Sequence, residues 1–299
     1  MISFNTLVSK LIPLFPKALT YQFAKKYVAG IDKHSAFKTI HSLNHDGYLV
    51  TLDILGEHVK DIKEANRISD NYIDLYKEID HRNLNCNISL KPSHIGADID
   101  KKTYRKNLVR ILDIASKYNN FLRIDMESSK YTDFTIESFI EKRQKNKNIG
   151  TVFQAYLYRT YQDIIQLDKE NLNFRLCKGI YKESDEICIN DRIKINDNYL
   201  KILRYAFENK IYVGIATHDI ILLDLIYKLI DELNPQKDNF EFQVLYGVPM
   251  KGWNKKHLDR GYKVRVYVPF GEDWYKYSIR RLKENPDIAG YVFKNLFSK

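Results

Sequence analysis

Phe174-Arg175-Leu176-Cys177-Lys178 is a short apolar run that ends on charge and is followed by Gly179. Alone it is one strand and a turn. Seven more runs of this kind lie around it. Upstream are Tyr48 to Asp53, Asn87 to Lys91, Phe121 to Asp125 and Gly150 to Gln154; downstream are Tyr212 to Thr217, Phe240 to Leu245 and Val264 to Val268. Segments of helical period separate them, such as Asp61 to Asp80, Tyr104 to Tyr118 and Leu222 to Leu233. Strand alternating with helix is the pattern of a parallel sheet with crossover helices. Eight such units without a break in composition predict closure, so the expected fold is α/β, a (βα)8 TIM-type barrel. No linker rich in Pro, Gly or Ser divides the chain. One domain over 1–299 is expected, with 1–45 as a helical N-terminal extension.

The 299 residues are 44% hydrophobic, 13% aromatic and 29% charged. That balance excludes a disordered, collagenous or low-complexity chain. Three cysteines, Cys86, Cys177 and Cys188, form neither an even framework nor a C-x-x-C pair. A disulfide scaffold and a cysteine-ligated zinc site are therefore not expected, and a reducing compartment fits.

Lys and Arg number 48 against 38 Asp and Glu, a formal charge of +10. A lysine-rich surface accounts for this, and affinity for an acidic partner is the sharper alternative. No run of five or six basic residues and no nucleic-acid module appears, so nucleic acid is not expected as a partner. No window is long and apolar enough to span a bilayer. The first thirty residues are basic and amphipathic, as a targeting segment would be, but Pro13 and Pro16 break them early. They read as helical framework, and the expected location is cytoplasmic.

Polar residues close the strand runs: Asp53, Lys91, Asp125, Gln154, Arg175 with Lys178, Thr217 with His218, Gln243 and Tyr267. In a parallel barrel the strand C-termini converge on one mouth, where βα loops build the active site. One such charge is usually a cap; eight in succession point to a site. Arg280 and Arg281, in the helical segment Asp273 to Asn285, suit a carboxylate or phosphate because each guanidinium donates two parallel hydrogen bonds. Adjacent arginines are also common on solvated helix faces, which is the reading for the pair in isolation. Glu284 follows them at helical spacing and could hold one in place. Gly179 would let backbone N–H groups approach a ligand, or would serve a plain turn. Asp125 could be a general base or could orient a cation. No dinucleotide or P-loop fingerprint, no metal-ligand pair of histidines and no G-x-S-x-G is present, so no metal is expected.

The chain resembles the monofunctional proline dehydrogenases. The resemblance runs through Thr51 to Glu57, Ser89-Leu90-Lys91, Ile124 to Glu127 and Phe153 to Thr160, then Phe174 to Tyr181. It continues in Ala216 to Asp219 and Glu241 to Gly247 and ends in Arg265 to Gly271 and Tyr277 to Asn285. Each block is weak singly; together, in order and at plausible spacing, they are specific.

The resemblance implies a (βα)8 barrel whose final helix lies over the mouth, and noncovalent FAD. Carried over by motif, the FAD contacts would be Met126, Gln154, Lys178, Gly179, Ile180, Thr217, His218 and Gln243. Arg175 would sit at the flavin ring and Asp125 would be an electrostatic and orienting partner, the two forming the catalytic set. Lys91, Arg280 and Arg281 would bind the carboxylate of L-proline, with Tyr267 and Leu245 beside its ring. Glu284 would pair with Arg281, and the final helix would move to close the site. The implied reaction is hydride transfer from proline to flavin N5, giving Δ1-pyrroline-5-carboxylate, the first step of proline catabolism to glutamate. A membrane quinone would accept the electrons, with the protein peripheral at the inner membrane face.

Two positions depart from the family pattern: the run Pro92-Ser93-His94-Ile95-Gly96 after Lys91, and Cys177 where an aliphatic residue is usual. Tyr267 is retained, and in this family a smaller residue there accompanies use of hydroxyproline, so proline is the expected substrate. The rivals are a Schiff-base aldolase using Lys91 or Lys178 and a basic nucleic-acid-binding protein.

Overall fold

A computed structural model describes residues 21, 24–167 and 172–284. Its centre is a closed barrel of eight parallel strands in sequence order. These are β1 (Leu49–Ile54), β2 (Cys86–Leu90), β3 (Leu122–Ile124), β4 (Ile149–Gln154), β5 (Asn173–Cys177), β6 (Tyr212–Ala216), β7 (Phe240–Leu245) and β8 (Val264–Phe270). The seam is the longest pairing: β1 lies on β8 from Leu49 opposite Arg265 to Ile54 opposite Phe270. The strands are buried along most of their length on both faces, which is why they read as apolar runs rather than strict alternation.

Around them are α1 (Lys33–His45), α2 (Ile62–His81), α3 (Lys101–Lys117), α4 (Thr132–Arg143), α5 (Thr160–Gln166), α6 (Arg192–Glu208), α7 (Ile220–Leu233), α8 (Trp253–Asp259) and α9 (Trp274–Glu284). The long helices form where a capping aspartate precedes an amphipathic run. Asp61, Asp100, Asp191 and Asp219 each accept backbone N–H groups in the first turn of the helix that follows. Each cap is worth about 1 kcal/mol. In α2 the buried set Ala65, Ile68, Tyr72, Leu75, Tyr76 and Ile79 keeps the three-and-four spacing that turns one face to the barrel.

α1 buries Ala36, Phe37 and Ile40 and packs beside β1 and β8, across the seam. It is the helix that closes the expected 1–45 extension, of which 1–20, 22 and 23 lie outside the described residues. The strand runs expected from sequence agree with the observed strands to within one or two residues at each end. The expected barrel is therefore the observed one, and α9 brings Tyr277, Arg280 and Arg281 to its mouth.

Inside the barrel the residues are polar to an unusual degree. Arg123 of β3 reaches the backbone carbonyl and side chain of Asn173 on β5, and Arg175 of β5 reaches Gln243 on β7. Side chains can meet across alternate strands only in the interior of a closed barrel. The floor beneath the mouth is thus a hydrogen-bonded network rather than an apolar plug.

Candidate active site

The mouth opens into a cavity of about 540 Å³. Of the residues expected from sequence, Lys91, Asp125, Met126, Gln154, Arg175, Lys178, Gly179, Ile180, His218, Gln243, Leu245, Tyr267, Arg280 and Arg281 line it. Thr217 does not. It is buried behind the wall, where its Oγ1 accepts the N–H of Asp219 at 3.1 Å.

Asp125 organises the floor. Its Oδ1 accepts from Arg175 Nη1 at 2.7 Å and from the Ser89 hydroxyl at 2.5 Å, and its Oδ2 accepts from the Tyr267 hydroxyl at 3.1 Å. The Arg175 guanidinium also lies 5.1 Å from the centroid of the Tyr267 ring. One of its nitrogens, Nη2, is buried with no hydrogen-bond partner. A buried guanidinium N–H left unmade is costly unless a ligand takes it.

Lys91, just beyond β2, donates to Asp53 Oδ2 at 2.9 Å, and both side chains are buried. Burial works against the ammonium charge, but Asp53 and Asp125 outweigh it and hold the Lys91 pKa above the ordinary lysine value. Lys91 is therefore a fixed cation. A Schiff-base lysine needs the opposite, a depressed pKa and a free amine. Lys178 is ion-paired to Asp219, which also caps α7. Both lysines on which the aldolase alternative rested are thus engaged.

One wall is shaped by Gly179. Its φ is +120°, and a Cβ there would fall 2.1 Å from the Tyr156 ring, so only glycine fits. The wall continues through Ile180, which is 48% exposed. Gln154 is held by donating to the Glu127 carbonyl at 3.0 Å. His218 accepts the Leu245 N–H at Nε2, 2.9 Å away, which leaves the ring proton on Nδ1. Burial, with the nearby Arg281 charge, pushes its pKa down to about 4, so the ring is neutral.

The roof is α9. Tyr277, Arg280 and Arg281 fall at i, i+3 and i+4, on one helix face, and all three reach the cavity. The solvated-face alternative for the arginine pair does not hold. The Glu284 side chain, expected to pair with Arg281, lies outside the described residues. Among the described lining residues, five side chains are cationic (Lys91, Arg175, Lys178, Arg280 and Arg281) and two are carboxylates, Asp53 and Asp125. Lys91, Arg175 and Lys178 are ion-paired with Asp53, Asp125 and Asp219, and the lining as a whole carries more positive than negative charge.

Sequence reasoning gave no role to Asp53, Tyr181 or Tyr277, which also line the cavity. Asp53 was visible as a polar strand end. The spacing of Tyr277 from the arginine pair was the available signal for it.

The family model described as proline dehydrogenase matches residues 36–293. The chain belongs to the proline dehydrogenase family. Proline dehydrogenase 2 of Bacillus subtilis (strain 168) is 39% identical over 277 residues, covering 92% of this chain and 91% of its own length. Proline dehydrogenase of Deinococcus radiodurans is 32% identical over 281 residues, covering 92% and 90%. Among solved structures, proline utilization A from Bdellovibrio bacteriovorus superposes with a TM-score of 0.82 at 25% identity, over 89% of this chain and 33% of that one. The chain thus spans about a third of that solved protein, and the shared third is the barrel. No helix among the described residues is long and apolar enough to cross a membrane.

Proposed function

We propose that this chain oxidises L-proline to Δ1-pyrroline-5-carboxylate with FAD as its cofactor. The observation that carries the reading is the excess of fixed cations around the cavity, with Arg280 and Arg281 on its roof and Lys91 on its floor. These three bind the substrate carboxylate, and bidentate guanidinium contacts set its orientation. Tyr267 and Leu245 pack beside the ring. Tyr267 is itself held, because its hydroxyl is tied to Asp125 and its ring to Arg175.

The residues fit FAD. The exposed Ile180 on the cavity wall and the orphaned Arg175 Nη2 are features a large anionic, planar cofactor would use. Met126, Gln154, Lys178, Gly179, Ile180, His218 and Gln243 would hold it, with Thr217 supporting from behind. When bound, it supplies the hydride acceptor at N5. Arg175 places positive charge where negative charge develops, and Asp125 keeps Arg175 and Tyr267 in register. The α9 roof and the buried floor side chains limit the water around the carboxylate contacts and so strengthen them. Electrons leave to a membrane quinone, with the protein peripheral at the inner face of the membrane; family resemblance supports this step.

The purified protein should be yellow, and proline should bleach its absorption near roughly 450 nm. A colourless protein that takes up no FAD, or a flavin spectrum indifferent to proline, removes the reading.

A further inference from the structure

Below the cavity, and outside its lining, Glu241 sits in the barrel floor with 1% of its surface exposed. Its Oε1 accepts from Gln243 Nε2 and from Arg265 Nε, both at 2.6 Å. Arg265 is anchored in turn, donating from Nη1 to the Val50 carbonyl at 2.9 Å. The other end of the Gln243 amide faces Arg175, and its Oε1 accepts from Arg175 Nε at 2.5 Å. A directional chain therefore runs from Arg265 through Glu241 and Gln243 to Arg175.

The amide is the hinge of this chain. A carboxylamide has a donor end and an acceptor end. With a carboxylate on one side and a guanidinium on the other, only one orientation satisfies both. Rotating it by half a turn would set oxygen against the Glu241 carboxylate and NH2 against the Arg175 N–H. Both new contacts are repulsive, and all three side chains are buried, which strengthens the repulsion.

Gly214 on β6 fixes the place of the amide, while the charges fix its direction. A Cβ at that position would fall 2.4 Å from Gln243 Nε2 and 2.9 Å from its Cδ. The Gln243 amide lies over a bare stretch of strand, so both charge and shape fix it.

We propose that Glu241 is a positioning residue for Arg175, acting through the Gln243 amide. The inference rests on the proline-oxidising reading, because it concerns the group that faces the reacting centre. Glu241 touches neither substrate nor cofactor. It decides which end of Gln243 meets Arg175, and so where the guanidinium rests. Asp125 holds Arg175 by Nη1 and Gln243 holds it by Nε; with one hold lost, the fork can swing about the other.

The test uses the flavin-loaded enzyme and its variants Glu241→Gln, Gln243→Glu, the double variant with both changes, and Gly214→Ala. Glu241→Gln removes the charge that orders the amide. A drop in kcat on the order of tenfold to a hundredfold is expected, with the proline KM within about twofold, since the carboxylate clamp is untouched. Loss of the Glu241 carboxylate by itself moves the midpoint potential of the bound FAD positive, but Arg175 lines the cavity and Glu241 does not, so displacement of the guanidinium prevails and the potential should move negative. In the double variant the Arg175 end of the order is rebuilt: Glu at 243 accepts from Arg175 and from the NH2 of Gln at 241, at the cost of the Arg265 Nε contact that the same Oε1 position made. Both kcat and potential should recover towards wild type, whereas Gln243→Glu alone sets two carboxylates face to face and should not. Gly214→Ala pushes the amide off its seat without changing any charge and should reproduce the kcat loss; it decides the matter should Glu241→Gln not fold. Wild-type kcat and potential in Glu241→Gln, or in Gly214→Ala where that variant decides, overturn the proposal. Failure of the wild-type flavin to bleach with proline is a separate result, and it removes the functional reading and this inference together.

Discussion

Arg175 on β5 and Asp125 just beyond β3 meet across the intervening β4 at 2.7 Å in the barrel floor. The pair is buried, so it must be fully hydrogen-bonded to be tolerated. Asp125 meets that condition with three donors: Arg175, Ser89 and Tyr267. Arg175 does not, since Nη2 lacks a partner. The unsatisfied half of the pair is the guanidinium, and Arg175 lines the cavity.

Asp125→Asn tests that arrangement. An amide in place of the carboxylate can accept on one side only, so at least one of the three donors loses its partner. Leaving a buried donor unmade costs about 1–3 kcal/mol. The expected result is a fall in kcat of roughly ten- to a hundredfold. Steady-state kinetics on the proline reaction checks it, and a variant with wild-type kcat would deny Asp125 its organising role.

The clamp makes a different prediction. Arg280→Ala or Arg281→Ala should raise the proline KM while FAD stays bound, because the loss falls on substrate binding. Truncating one charged partner in a desolvated site costs on the order of 2–5 kcal/mol. Flavin content by absorbance and KM by proline titration separate the two effects. An unchanged KM in both variants would take the carboxylate away from α9.

The barrel was legible in the sequence because its strands are buried on both faces and read as apolar runs ending in charge. Helix starts were legible as well, since Asp61, Asp100, Asp191 and Asp219 stand directly before apolar-periodic segments. The identity of the mouth residues followed from strand ends, and family resemblance assigned roles to most of them. The partnerships did not follow. Asp53 is 38 residues from Lys91 in the chain, and nothing in either neighbourhood marks the other as its counter-ion. The Glu241 chain is hidden for the same reason, because interior layers form by closure of the barrel and leave no periodic trace. Thr217 shows the converse limit. Its place at a strand end suggested a contact, but the turn it caps draws its hydroxyl to the backbone of Asp219.

Tyr267, which lines the cavity, should set the substrate range. Its ring cannot yield easily, being tied through the hydroxyl to Asp125 and stacked by Arg175. A hydroxyl added to the proline ring on that side has to displace it. The enzyme should therefore turn over proline in preference to 4-hydroxyproline, and Tyr267→Ser should narrow the difference by opening space. Comparable kcat/KM for the two amino acids in the wild-type enzyme would show that Tyr267 does not exclude the larger ring.

Acid should destabilise the fold through three buried neutral histidines. Burial pushes the pKa of His94 down to about 3, His257 to about 3 and His218 to about 4. Each is ordinary, near 6.5, in the unfolded chain. Between the folded and unfolded values the unfolded state binds more protons, so stability rises with pH there and is lost as pH falls from about 6.5 towards 4. For His218 alone the loss is on the order of 3 kcal/mol once pH has dropped through its folded value. All three have visible reasons to stay neutral, and for His94 it is the Tyr72 hydroxyl, 3.3 Å from its Nδ1. The His218 Nε2 accepts the Leu245 N–H, and the His257 ring stacks on Phe242 with centroids 3.7 Å apart while its Nδ1 meets the Tyr227 hydroxyl at 2.8 Å. Urea unfolding at pH 7, 6, 5 and 4 should show midpoints falling most steeply below pH 6.5, and His257→Phe, which keeps the stacking and removes the titration, should flatten the fall. A midpoint that holds steady from pH 7 to pH 4 would mean these rings are protonated or hydrated in the native state.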